Sequence, residues 1–113
     1  MNPLELLKDN RFALAAGDGS RCATSIYCCD LLSIVMGRAP ADSVWVTVMG
    51  NLNSIAVAVL AEVSCIILAE GMPLDADALA RAQSENVTVL TTKLPVYEAA
   101  AAAAALLPKA PNA

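Results

Sequence analysis

A chain of 113 residues forms one domain, because chains divide only beyond about 250–300 residues, and 58% hydrophobic with 16% charged residues excludes intrinsic disorder. Only 4% of the chain is aromatic, so its core must be built from Ala, Val, Leu and Ile, a composition suited to helices packed closely on a sheet. The net charge of −4 argues against nucleic acid as a partner, since each phosphate contact needs a Lys or Arg and the chain has seven.

Asn2 as an N-cap and Pro3 at the first helical position predict a short helix over Leu4 to Lys8. Arg11 to Ala16 reads as a short apolar strand, closed by Gly17-Asp18-Gly19-Ser20. Cys22 to Cys28 alternates loosely and is rich in β-formers, which predicts a second strand. Asp30 then caps a helix from Leu31 to Gly37, with Leu31, Leu32, Val35 and Met36 on its apolar face, and Ala39-Pro40-Ala41-Asp42 stops it. Val44 to Met49 is a β-branched strand carrying Trp45, and either Asn51 or Asn53 caps a helix from Ser54 to about Val63. Cys65 to Ala69 is wholly apolar, as expected in the middle of a parallel sheet. Gly71-Met72-Pro73-Leu74 turns the chain, Asp75 or Asp77 begins a helix ending at Asn86, and Val87 to Leu90 is the next strand. Thr91-Thr92-Lys93-Leu94-Pro95 leads into a last helix from Val96 to Leu107, stopped by Pro108. Its seven consecutive alanines, Ala99 to Ala105, suit a helix lying very close to its neighbour, since Ala is small and the best helix former.

Strand followed by helix, repeated at short spacing, specifies parallel strands joined by right-handed crossovers. The expected architecture is a three-layer α/β/α sandwich with a mainly parallel sheet, a single domain over residues 1–108 and a disordered tail over 109–113. The central strand should be Val44 to Met49 or Cys65 to Ala69. The run Ser43 to Ala61 has 19 residues without a charge, nearly enough to span a bilayer, but Gly50-Asn51-Leu52-Asn53-Ser54 breaks it into strand and helix. No membrane segment and no signal peptide are expected, and the cytoplasm is the expected compartment.

Cys22, Cys28, Cys29 and Cys65 do not form a metal motif: Cys28 and Cys29 are adjacent, there is no CxxC, and the chain has no histidine. They read as buried reduced thiols, with a cluster assembled across a dimer as the alternative and a redox role for Cys28, Cys29 or Cys65 left open. Catalysis is not expected. Without histidine, Ser33 or Ser54 would lack the commonest general base, and no Ser-Lys spacing replaces it. Neither GxGxxG nor GxxxxGK[ST] occurs. No cofactor and no metal are expected.

The carboxyl ends of parallel strands lie on one edge, so Asp30, Asn51, Asn53, Ser54, Glu70, Gly71, Thr91 and Thr92 are the expected ligand-binding set. An anionic group on a hydroxylated or nucleoside-like ligand would meet the helix start after Asn51 to Ser54. The competing reading makes Asp30, Asn53 and Ser54 helix caps and nothing more.

Four segments in this order resemble the DRTGG domain family, in particular its free-standing members similar to the N-terminal domain of HPr serine kinase. They are Asp30 to Met36; Val44-Trp45-Val46-Thr47 with Asn53 and Ala56 to Leu60; Ile66-Ile67-Leu68 with Gly71; and Val89 to Lys93 ahead of Tyr97-Glu98. The resemblance covers about residues 11 to 107. It implies a non-catalytic, homodimeric regulatory or ligand-sensing α/β module, associated with a redox enzyme of hydrogenase type or a signalling protein. The chain departs from the family pattern where Cys29 replaces the glycine before Asp30. Alternatives are an adaptor that binds a partner enzyme without a small ligand, and a nucleotide-binding module. A chain this apolar and short is expected to dimerise, through the helix Asp30 to Gly37 and the segment Ala69 to Leu74, where Ile34, Met36 and Met72 would be exposed.

Overall fold

The computed structural model describes residues 1–108, so the tail expected to be disordered lies outside the described residues. After a 3-10 helix over Pro3–Lys8 come β1 (Phe12–Ala16), β2 (Ser25–Cys28), α1 (Leu32–Arg38), β3 (Ser43–Thr47), α2 (Leu52–Ala61), β4 (Cys65–Leu68), α3 (Ala76–Ser84), β5 (Val89–Thr92) and α4 (Val96–Ala104). The first helix begins as its residues predict, with Asn2 accepting from the Leu4 N–H at 2.9 Å and Pro3 following. It is 3-10 rather than α, a form short helices commonly take.

The five strands lie in the order β1-β5-β4-β3-β2. β2 to β5 are parallel, while β1 runs antiparallel to β5 with Phe12 opposite Thr92 and Ala13 opposite Thr91. β4 is therefore central, and every residue of β3 and β4 is buried, as strands covered on both faces require. The uncharged run across Ser43 to Ala61 divides into β3 and α2, and no helix among the described residues is long and apolar enough to cross a membrane.

One core layer sets Trp45, Ile66, Leu68 and Val89 against Val35 of α1, Ile55 and Ala58 of α2, and Ala78 and Ala82 of α3. The other sets Val44, Val46, Ile67 and Leu90 against Leu6, Phe12, and Ala99 and Ala103 of α4. This is the three-layer sandwich, with small residues four apart touching the sheet in both α3 and α4. Ala99 and Ala103 are fully buried, so the alanine run lets α4 lie close against β2 and β3.

One cap differs from expectation, and a second is decided between two candidates. Asp30 does not cap α1: Leu31 stands at that position without a side-chain bond, and the Asp30 carboxylate instead accepts from Thr47 Oγ1 at 2.6 Å and the Val48 N–H at 3.0 Å. The buried Thr47 hydroxyl and the N–H leaving β3 both need an acceptor, and a carboxylate between the ends of β2 and β3 serves both. Asn51, rather than Asn53, caps α2, accepting from the Ser54 N–H at 2.9 Å, which leaves Asn53 exposed in the first turn. Strand and helix ends also shift: β2 starts at Ser25 rather than Cys22, α2 ends at Ala61, and α4 ends at Ala104.

Candidate functional site

The crossovers run in one direction along the sheet, from β2 through β3 and β4 to β5, so α1, α2 and α3 all pack on the same face. Only α4, which follows β5, crosses to the other face. The loops leaving β4 and β5 consequently part to opposite sides of the sheet, and such a divergence is where an α/β sheet opens a crevice. A cleft of about 720 Å³ lies there. Its walls are Gly71-Met72-Pro73 after β4, Thr91 to Pro95 at the end of β5, and Asn10 to Ala13 at the start of β1.

The cleft gathers Gly71, Thr91 and Thr92 from the set expected on sequence grounds. Glu70 sits beside it in the left-handed region at φ 60°, and its carboxylate accepts from the Val96 N–H at 3.3 Å, so it serves as the cap of α4 that Pro95 cannot provide. The backbone joins the two loops as well: the Glu70 N–H donates to Leu94 O and the Gly71 N–H to Thr92 O. Thr92 is buried, and its hydroxyl accepts from the Leu94 N–H at 3.2 Å. Asp30, Asn51, Asn53 and Ser54 do not line this cleft. Ser54 is fully buried, with its hydroxyl donating to Asn51 Oδ1 at 3.2 Å.

Gly50 explains how the neighbouring loops close over this edge. A Cβ there would stand 2.1 Å from the Pro73 carbonyl oxygen, and the Asp75 N–H donates to Gly50 O at 2.8 Å. The β3–α2 and β4–α3 loops are therefore in direct backbone contact, which fixes Met72 and Pro73 as one wall of the cleft.

Met72 and Lys93 lie at strand ends where sequence reasoning looks for a crevice, whereas Arg11 is a cleft residue it missed. Arg11 arrives through the antiparallel pairing of β1 with β5, which places it one position beyond the Phe12–Thr92 pair. No local pattern announces such a pairing between strands at opposite ends of the chain. The Arg11 guanidinium forks onto Asp9, with Nε to Oδ1 at 2.9 Å and Nη2 to Oδ2 at 2.6 Å, and this bond holds the Asp9 carboxyl down at about 2. Lys93 is exposed and makes no ion pair among the described residues.

A second surface feature is apolar. Leu31, Ile34 and Met36 around α1 and Leu52, Val59 and Leu60 of α2 are exposed, Leu60 at 68%, and Met72 is exposed at the cleft. α2 carries no charged residue, so its outer side is as apolar as the side facing the core. Against the expectation of buried thiols, Cys22 and Cys28 are exposed, Cys29 is half-buried and only Cys65 is buried; all are free, with Cys65 pushed up to about 12 by burial and Cys28 raised by partial desolvation and then by the nearby Asp30 charge.

The sequence profile of the DRTGG domain matches residues 38–106. The chain belongs to the DRTGG domain family. The match begins at the end of α1 and takes in β3, α2, β4, α3, β5 and α4, so Cys29 and Asp30 precede it. Among solved structures, the regulatory region of Clostridium perfringens pyrophosphatase, comprising CBS and DRTGG domains and complexed with its activator diadenosine tetraphosphate, is similar in fold. The TM-score is 0.71 at 15% identity, over 95% of this chain and 46% of that one. The chain thus spans less than half of that regulatory region. Comparison with curated protein sequences returns no match.

Proposed function

We propose that this DRTGG chain is a non-catalytic regulatory module that senses a small ligand in the cleft between the loops of β4 and β5 and works as a homodimer. The cleft carries the reading: at about 720 Å³ it falls in the range of small-molecule sites, and it sits where the sheet diverges. A module of the same fold regulates a pyrophosphatase whose regulatory region takes a nucleotide activator, which fits a sensing role. The cleft's polar side chains are Asn10, Arg11, Thr91, Thr92 and Lys93, and Thr without a neighbouring base is not a nucleophile.

The apolar outer side of α1 and α2 favours a second reading, an adaptor whose partner protein covers that side. A thermal-shift screen of nucleotides and carboxylate metabolites, run beside light scattering, separates the two. A ligand at 100 times its dissociation constant stabilises by about 2.7 kcal/mol, roughly 10 °C for a domain of this size. Sensing predicts such a shift from a dimer. A monomer that no compound stabilises would favour the adaptor.

A further inference from the structure

The chain has eleven acidic residues against seven basic ones, yet the cleft inverts that balance. Its charged lining residues are Arg11 and Lys93, with no carboxylate among them. Arg11 is already forked onto Asp9, and the Glu70 carboxylate beside the cleft is engaged by the Val96 N–H, so Lys93 is the lining cation without an ion pair among the described residues. The remaining walls near Lys93 are largely apolar: Ala13, Met72, Pro73 and Leu94.

We propose that the cleft takes an organic anion of a single negative charge with an apolar body, the anion against Lys93 and the body against Met72 and Pro73. This rests on the reading of the cleft as the sensing site. One unpaired cation matches one anionic group, and Met72, unbranched and polarizable, adapts to the body of the ligand. A polyphosphate is a poor match, since it brings several charges to one unpaired cation on a chain whose net charge is −4. Asp9 tunes the site from outside by keeping Arg11 neutralised.

Calorimetric titration with a ladder of probes tests this. Indole-3-acetate and cyclic adenosine monophosphate are monoanions of the carboxylate and phosphodiester kinds, indole-3-acetamide and adenosine are their neutral counterparts, and diadenosine tetraphosphate is the polyanion. At least one monoanion should bind tenfold or more tighter than its neutral counterpart, and the tetraphosphate no tighter than that monoanion. Whichever monoanion binds identifies the anionic group. Lys93→Gln, at an exposed position, should weaken that binding tenfold or more, whereas Asp9→Asn should strengthen it severalfold by releasing Arg11. Circular dichroism confirms that both variants fold. Tighter binding of the tetraphosphate, unchanged affinity in Lys93→Gln, or no binding by either monoanion would overturn the proposal. The sensing reading fails separately, only if the thermal-shift screen also returns no ligand.

Discussion

Removing the Asp30 carboxylate should destabilise the fold by more than the loss of a helix cap, and in a way that depends on Thr47. In Asp30→Ala the Thr47 hydroxyl, fully buried, loses its 2.6 Å acceptor and the Val48 N–H loses its 3.0 Å one. Hydrogen bonds to a charged group contribute about 1.5–3 kcal/mol, and an orphaned buried donor costs about 1–3 kcal/mol. With one donor fully buried and the other half-buried, the expected loss is about 2–3 kcal/mol. Thr47→Val alone should cost about 1–2 kcal/mol, but in the Asp30→Ala background it should cost much less, because the hydroxyl's acceptor is already gone and only its long 3.4 Å bond from the Met49 N–H remains to be lost. The coupling is then about 1–2 kcal/mol. Urea unfolding at fixed protein concentration, followed by fluorescence of Trp45, measures it; that residue is the single tryptophan and is fully buried. A loss near 1 kcal/mol for Asp30→Ala, the same whether residue 47 is Thr or Val, would refute a structural bridge from Asp30 to Thr47 and Val48.

Gly50→Ala should destabilise by about 1–3 kcal/mol in urea unfolding, because its Cβ would meet the Pro73 carbonyl oxygen at 2.1 Å and drive two loops apart; a neutral result would show that the loops yield. Ile34→Glu with Met36→Glu, both at exposed positions of α1, should change monomer stability by less than about 0.5 kcal/mol while reducing the light-scattering mass from twice 11.6 kDa to 11.6 kDa; an unchanged dimer would move the interface off α1. Alkylation of the native protein at pH 8 should modify the exposed Cys22 and Cys28 and spare Cys65, whose burial pushes its thiol up to about 12; mass spectrometry should find Cys65 labelled only after denaturation.

The β3–α2–β4–α3–β5 succession was legible because β4 is a wholly apolar buried strand and β3 and β5 carry apolar runs, Val44-Trp45-Val46 and Val89-Leu90, while Asn51, Gly71 and the Asp75 region punctuate the turns. The pairing of β1 with β5 was not, since a short apolar strand carries no mark of a partner so far along the chain. That pairing brings Asn10 to Ala13 to the cleft, so one of its three walls was hidden with it. Asp30 shows a second limit. An acidic residue ahead of a helix has the appearance of a cap, and only the parallel alignment of β2 on β3 brings Thr47 and Val48 within its reach. Of the eight residues expected at the strand ends, Gly71, Thr91 and Thr92 meet in one cleft because only the β4 and β5 loops leave the sheet in opposite directions.

Amide chemical-shift mapping during titration with cyclic adenosine monophosphate or indole-3-acetate tests the location of the sensing site most directly. The account predicts perturbations concentrated at Ala13, Gly71, Met72 and Thr91 to Lys93, around the cleft. Perturbations centred on Asp30 and on Asn51 to Ser54, with the cleft silent, would contradict it.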